Sequence, residues 1–301
     1  MIPRWIARAA VLVGLCGASL AAQAGSYRFC DEPLELNAGQ KDRLFRLGGV
    51  IKDALEQHAV SGVALMSRSG LDLDRFGHRY SHAGVSLKAN TDTPWAVRQL
   101  YYACDEKRPR LFDQGISGFL LGTEDPKVGY VSVLVLPEAE SKRLEAAALD
   151  KRGALSLLAG VYSANAFAFS ERYQNCNQWV AELLASAWAD VPVGSRTGAQ
   201  EWLVQRDYRP SEFDIRHRWL LSLAMLFVPW LHRDDHPIED LHEAKLRVSM
   251  PAAIEDFVRR QVPGAIRMEF CHNERHMVVR QGWEPIADGC EPGDGDTVIP
   301  Y

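Results

Sequence analysis

The chain has 301 residues, 47% of them hydrophobic, and a formal charge of −5 at pH 7. That length and apolar content are enough to bury a sizeable core in one large domain or two small ones, and they exclude a wholly disordered chain. The acidic balance argues against nucleic acid as a partner, because phosphate binding draws on clustered basic side chains.

The first 24 residues combine Arg4 and Arg8, an apolar run over 9–15 and a small-residue exit at Ala22-Gln23-Ala24. This is the anatomy of a signal peptide cleaved before Gly25, since the apolar run falls short of the roughly 20 residues a spanning helix needs. Loss of the two arginines takes the formal charge from −5 to −7, and the expected location is periplasmic or secreted. Five cysteines then remain: Cys30, Cys104, Cys176, Cys271 and Cys290. In an oxidising compartment an odd number predicts two disulfides and one free thiol. With Cys176 free, three pairings are open. Locality in the turn-rich C-terminal segment selects Cys271 with Cys290, which leaves Cys30 with Cys104.

Leucine, valine and isoleucine at helical spacing predict an amphipathic helix over 38–58. Strands follow at 62–66 and 83–87 on either side of a polar loop, 68–75, then at 95–103 and 128–136, with a short one at 118–121. From Pro137 the pattern turns helical, over 138–149, 154–161 and 175–188. In the last of these Trp179, Val180, Leu183, Leu184 and Ala187 form a core-facing stripe. Strands first and helices afterwards predict an α+β fold. The apolar block 219–231, opened by Trp219 and closed by Leu231, reads as a buried core helix or as a helix lying on a membrane surface. Ser249 and Pro251 have the cap and first-turn chemistry of a helix running to about 262, and the chain closes on β-like stretches at 265–270 and 277–279. The organisation expected is a signal peptide over 1–24, a core over 25–195 and a helical extension over 196–301 with a terminal β-like segment.

Two segments carry the chemistry. Tyr80-Ser-His-Ala-Gly-Val-Ser-Leu87 puts His82 at the mouth of a strand, and Tyr173-Gln-Asn-Cys-Asn-Gln-Trp-Val180 puts Cys176 in the first turn of a buried helix. A thiol there sits beside unpaired N–H groups and the positive end of the helix dipole, which favour thiolate and can hold an oxyanion. A neutral histidine nearby would take the thiol proton and return it to a leaving group. In order and setting, His82-Ala-Gly84 followed much later by Asn175-Cys176 resembles the circularly permuted branch of the papain-like superfamily, with its NlpC-type peptidases and lecithin retinol acyltransferase-like enzymes. The resemblance covers about 62–188 and implies antiparallel strands packed on a cysteine-bearing helix, with Cys176 as nucleophile and His82 as base. The whole chain also resembles an uncharacterised family of secreted bacterial proteins.

A third polar residue usually orients such an imidazole. A turn over 89–94 puts His82 opposite Tyr101 with Gln99 diagonal on the same face, so Gln99 is the first choice, and Arg98 or Tyr101 takes its place if the register slips. Three weaker constellations are a His232/His236 metal clip, whose charge density and Pro237 read better as a solvated helix end, the His272-Asn-Glu-Arg-His276 run, whose glutamate is one position late for a zinc protease, and the loop pair Asp72 and Asp74. No cofactor is called for. The expected function is a secreted cysteine hydrolase or acyltransferase acting on an amide or ester, in a cell-wall peptide or an acyl lipid. The alternatives are an envelope binding or scaffolding protein with a degenerate papain-like fold, and lipid chemistry at a membrane surface with 219–231 as the docking face.

Overall fold

A computed structural model describes residues 35–215, 228 and 230–301. The expected signal peptide, Cys30 and most of the 219–231 block lie outside the described residues. In chain order the strands are β1 (Val63–Arg68), β2 (His82–Leu87), β3 (Ala96–Ala103), β4 (Arg108–Gln114), β5 (Gly129–Val135), β6 (Val161–Tyr162), β7 (Tyr173–Gln174), β8 (Ser211–Asp214), β9 (Lys245–Val248), β10 (Ile266–His272), β11 (His276–Gln281) and β12 (Thr297–Pro300). The helices are α1 (Ala38–His58), α2 (Ile116–Leu120), α3 (Glu138–Leu149), α4 (Lys151–Ser156), α5 (Cys176–Trp188), α6 (Arg196–Gln205), α7 (Ile238–His242) and α8 (Pro251–Gln261).

One antiparallel sheet organises these elements, in the order β12-β11-β10-β5-β1-β2-β3-β4. Because side chains alternate across a strand, each central strand serves two cores. Val63 and Leu65 of β1, Ala83, Val85 and Leu87 of β2, and Leu134 of β5 pack with Trp179, Val180, Leu183 and Leu184 of α5. The intervening residues, among them Ala64, Met66, Val97, Val133 and Phe270, pack with Leu44, Leu47, Ile51 and Leu55 of α1 and with Phe119 of α2. The result is a mixed α+β fold with helices on both faces of a large sheet. Among the described residues no helix is long and apolar enough to cross a membrane.

Several expectations need correction. The strand predicted at 118–121 is instead the end of α2 with its C-cap, Leu121. The helix predicted at 154–161 ends at Ser156 and begins at Lys151, where the Asp150 side chain accepts from the Arg152 N–H. Met250, not Ser249, occupies the cap of α8, since Ser249 is engaged elsewhere: its hydroxyl accepts from Tyr208 and its carbonyl from Asn175. The terminal strands β10 to β12 belong to the main sheet through the β10–β5 pairing. The Cys271–Cys290 disulfide forms as expected, with a Cα separation of 5.6 Å, and Cys176 is free and buried. Cys104 is disulfide-bonded, while its expected partner Cys30 lies outside the described residues.

Candidate functional site

Asn175 starts α5 in an extended conformation, and its side-chain oxygen accepts the Gln178 N–H at 2.7 Å. Its amide nitrogen donates to the Ser249 carbonyl at 3.1 Å, so one residue both caps the helix and pins it to the segment before α8. Asn175→Ala is therefore expected to cost about 1–2 kcal/mol, the upper part of the range for a cap. Urea unfolding would measure it, and an unchanged midpoint would show that the cap is dispensable.

The cap fixes Cys176 as the first helical residue. The backbone N–H groups of Cys176 and Asn177 and the Tyr162 hydroxyl all act on the thiol in favour of its ionised form, as does the Arg68 charge. Burial outweighs them and pushes the thiol up to about 11. Tyr162 lies 5.4 Å from Tyr102, and Tyr102 lies 5.4 Å from Trp230, centroid to centroid, so an aromatic wall extends from the thiol.

His82 opens β2. Its Nε2 is 2.7 Å from the Gln99 side-chain oxygen, and the Gln99 amide nitrogen donates in turn to Gln114 at 2.7 Å. That chain leaves the Gln99 oxygen to accept from Nε2–H, so the neutral imidazole carries its proton there and keeps a lone pair on Nδ1. The ring stacks on Tyr101 at 4.9 Å and approaches Phe119 at 5.9 Å. Burial first, and the Arg68 charge second, hold His82 down to about 3. Gly84 makes the pairing possible: a Cβ there would stand 2.6 Å from Val97 and 2.9 Å from the Arg98 carbonyl oxygen, so β2 and β3 could not approach as they do.

The structure brings His82 and Gln99 together as the strand register suggested. Arg98 is excluded as an orienting residue because it points to the α5 face, where it pairs with Asp113 at 2.6 Å and donates to the Ala148 carbonyl at the end of α3. Tyr101 stacks on the imidazole and receives a hydrogen bond from Arg68 at 3.1 Å.

Cys176 and His82 are neighbours in the fold without touching through a hydrogen bond. Asn177 donates to the Ser81 carbonyl at 3.1 Å, tying the first turn of α5 to the residue before His82. Yet β2 presents Ala83, Val85 and Leu87 to α5, so His82, out of phase with them, turns to the other face beside Phe119. Among the described residues no hydrogen bond joins the thiol to the imidazole.

Arg68 is the residue that sequence reading missed, because it was assigned to the polar loop that begins there. It ends β1 directly across from His82 in the sheet register and is 6% exposed. Its guanidinium donates to the carbonyls of Ser69 and Gly122 and to Tyr101, and lies 5.3 Å from the Phe119 ring centroid. Among the described residues no carboxylate pairs with it. The signal available in the sequence was an arginine closing an otherwise apolar and small-residue strand, Val63-Ala-Leu-Met-Ser-Arg68, with no acidic residue at sheet distance.

The weaker constellations dissolve into local structure. His232 stacks on Tyr173 at 4.3 Å while His236 bonds the Asn165 carbonyl at 2.8 Å, and the segment between them is turn rather than helix. His272 and His276 flank the β10–β11 hairpin. Asp72 accepts the Asp74 N–H in its loop at 3.2 Å. Among the described residues no group of three or more histidine, cysteine and acidic side chains is placed to hold a metal.

A profile of the bacterial family described as "uncharacterized protein conserved in bacteria (DUF2145)" matches residues 55–258, about two-thirds of the chain, and so includes Arg68, His82, Gln99 and Cys176. No curated protein and no solved structure matches the chain.

Proposed function

We propose, for a chain that belongs to this bacterial family, thiol-dependent acyl transfer in the cell envelope: hydrolysis or transfer at an amide or ester carbonyl, on a permuted papain-like core. The observation that carries this reading is the one free cysteine among the described residues, at the first position of a buried, capped helix, with backbone N–H groups directed to its sulfur. The His82–Gln99 pair supports it, since it fixes a neutral imidazole in the tautomer that leaves Nδ1 as a base.

The chemistry follows from these groups. Nδ1 of His82 takes the thiol proton as the Cys176 sulfur bonds the carbonyl carbon, and the electron pair displaced onto oxygen is held by the N–H groups at the start of α5. Collapse expels an amine or alcohol, to which His82 delivers a proton, and leaves a thioester. Water or an acceptor alcohol then attacks the thioester with His82 as base, returning the thiol. Both groups rest neutral, so the step requires substrate binding to bring Nδ1 to the sulfur. Cell-wall peptide and acyl-lipid substrates both fit this chemistry.

The second reading is a binding or scaffolding protein with a degenerate site. The observation favouring it is that the thiol and imidazole are not hydrogen-bonded and that the strand turns them to different faces. One experiment separates the two. Under the catalytic reading, Cys176→Ser reduces turnover in a screen of peptide and acyl substrates to background with the fold intact, and His82→Ala slows iodoacetamide labelling of Cys176 at pH 7 about tenfold or more. Equal labelling in wild type and His82→Ala, with no turnover of any substrate, establishes the scaffolding reading instead.

A further inference from the structure

Arg68 is a buried cation whose partners among the described residues are all neutral: the carbonyls of Ser69 and Gly122 and the Tyr101 hydroxyl. Taking a guanidinium out of water is costly unless an opposite charge compensates it. Its Nε–H has no partner. The chain nevertheless makes room for the group, since a Cβ on Gly122 would fall on the guanidinium. In the alternation of the strands Arg68 and His272 follow Met66 and Phe270, so both belong to the α1 face of the sheet, away from the helix that carries Cys176.

On that face Arg68, Ser69 and His272 line a cavity that Leu44 and Leu47 close from α1. Its polar side chains offer protons. Ser69 Oγ already accepts the Tyr130 N–H at 3.0 Å, which leaves its own hydrogen to give. His272 is 1% exposed with Nδ1 unpartnered, and a neutral imidazole carries one N–H. The Thr123 hydroxyl, also at the cavity, is engaged with the Asp125 carbonyl at 2.9 Å. No carboxylate lines the cavity, and the Arg43 charge acts on His272 more strongly than that of Asp125. The volume is about 10 Å³, the room of one water, which admits a monatomic ion and excludes carboxylate, phosphate and sulfate groups.

We infer that this cavity binds one monatomic anion, chloride, as the counter-ion of Arg68. The Arg68 Nε–H, the Ser69 hydroxyl and a His272 N–H are the donors available to it, from β1, the residue after β1, and β10. A water could take these hydrogen bonds, but it would bring no charge to a guanidinium that needs one. The ion therefore acts as an internal fastener between α1 and two strands of the sheet. This inference is independent of acyl transfer, and its outcome leaves that reading untouched.

The test is urea unfolding of the full chain in mixtures of sodium chloride and sodium gluconate at constant ionic strength, gluconate being too large for the cavity. In wild type the midpoint should rise with each tenfold increase in chloride above the dissociation constant, as it does for any ligand that binds the folded state alone. Arg68→Gln should abolish this dependence. Ser69→Ala, which removes one neutral donor, should need about three- to tenfold more chloride for the same rise. Crystals of the wild-type protein grown in sodium bromide should show an anomalous scattering peak in the cavity beside Arg68. Midpoints that ignore chloride, a chloride response that Arg68→Gln retains in full, or a cavity whose density is a water without anomalous signal would each overturn the inference. Should Arg68→Gln not fold, the Ser69→Ala titration and the bromide crystal decide between the same two outcomes.

Discussion

Glu182→Ala is expected to destabilise the protein by about 3–5 kcal/mol, the cost of leaving a buried arginine without its partner. Glu182 lies on α5 with no exposure and accepts from Arg196 at 2.9 and 3.0 Å, from Gln174 at 2.6 Å and from Gln200 at 2.8 Å. Arg196 also donates to the carbonyls of Ser170, Glu171 and Tyr173. The carboxylate thus joins α5, α6 and the loop that leads into Cys176. Removing it leaves one buried charge without its counter-ion and takes an acceptor from each of two amides, which keep only their bonds to the Leu157 and Ser170 carbonyls. The double change Glu182→Leu with Arg196→Met should cost markedly less than the single one, because no charge is then left buried. Urea unfolding of the three variants measures this, and a single-variant loss below about 1 kcal/mol would mean that water reaches Arg196.

Acid is expected to weaken the fold above the usual carboxylate range, and two histidines account for it. His82 is held down to about 3, chiefly by burial, and His272, 1% exposed with Nδ1 unpartnered, down to about 4 for the same reason. Both take up protons more readily unfolded, near 6.5, so their stabilising contribution is complete above that pH and declines as pH falls toward the folded values. At about 1.4 kcal/mol per unit, the pair loses roughly 5 kcal/mol between pH 6.5 and 4.5. Burial raises Glu182 and Glu255, whose contribution has the opposite sign, so a comparison of variants isolates the histidines. Urea midpoints at pH 7 and 4.5 should fall steeply in wild type and much less in a His82→Gln, His272→Gln double variant. Parallel declines in the two proteins would assign the acid sensitivity to other groups.

Legibility followed the strength of the local signal. The helix predicted over 38–58 has those bounds in the structure because apolar periodicity and the Asn37 cap agree on them. Gln99 was readable because alternation along two strands joined by a short turn fixes which side chains share a face. The same alternation contained information that was not used: Val85 and Leu87 anchor β2 to α5, so His82, in the opposite phase, had to face away from that helix. Strand β4 was missed because Arg108-Pro-Arg-Leu-Phe-Asp-Gln114 is charged and contains proline, the composition of an edge strand and also of a loop. Helix α6 was missed because its identity depends on burying Arg196 and Gln200 against Glu182, a contact that no window of sequence shows. Arg68 escaped for the same reason, since its meaning lies in what is absent around it.

The order of the sheet has a consequence for how the chain comes together in time. β5 lies between β1, which precedes it, and β10, in which Ile266 pairs with Val135 from about 130 positions away. During synthesis β1 to β4 can assemble from local hairpins and β5 can then add to β1, but the other flank of β5, with Val131, Val133 and Val135, keeps its backbone donors and acceptors unmatched until the final hairpin exists. A nascent chain therefore cannot complete its central layer early. It must be kept from sticking to its neighbours until the last hairpin arrives, and then close in one late step.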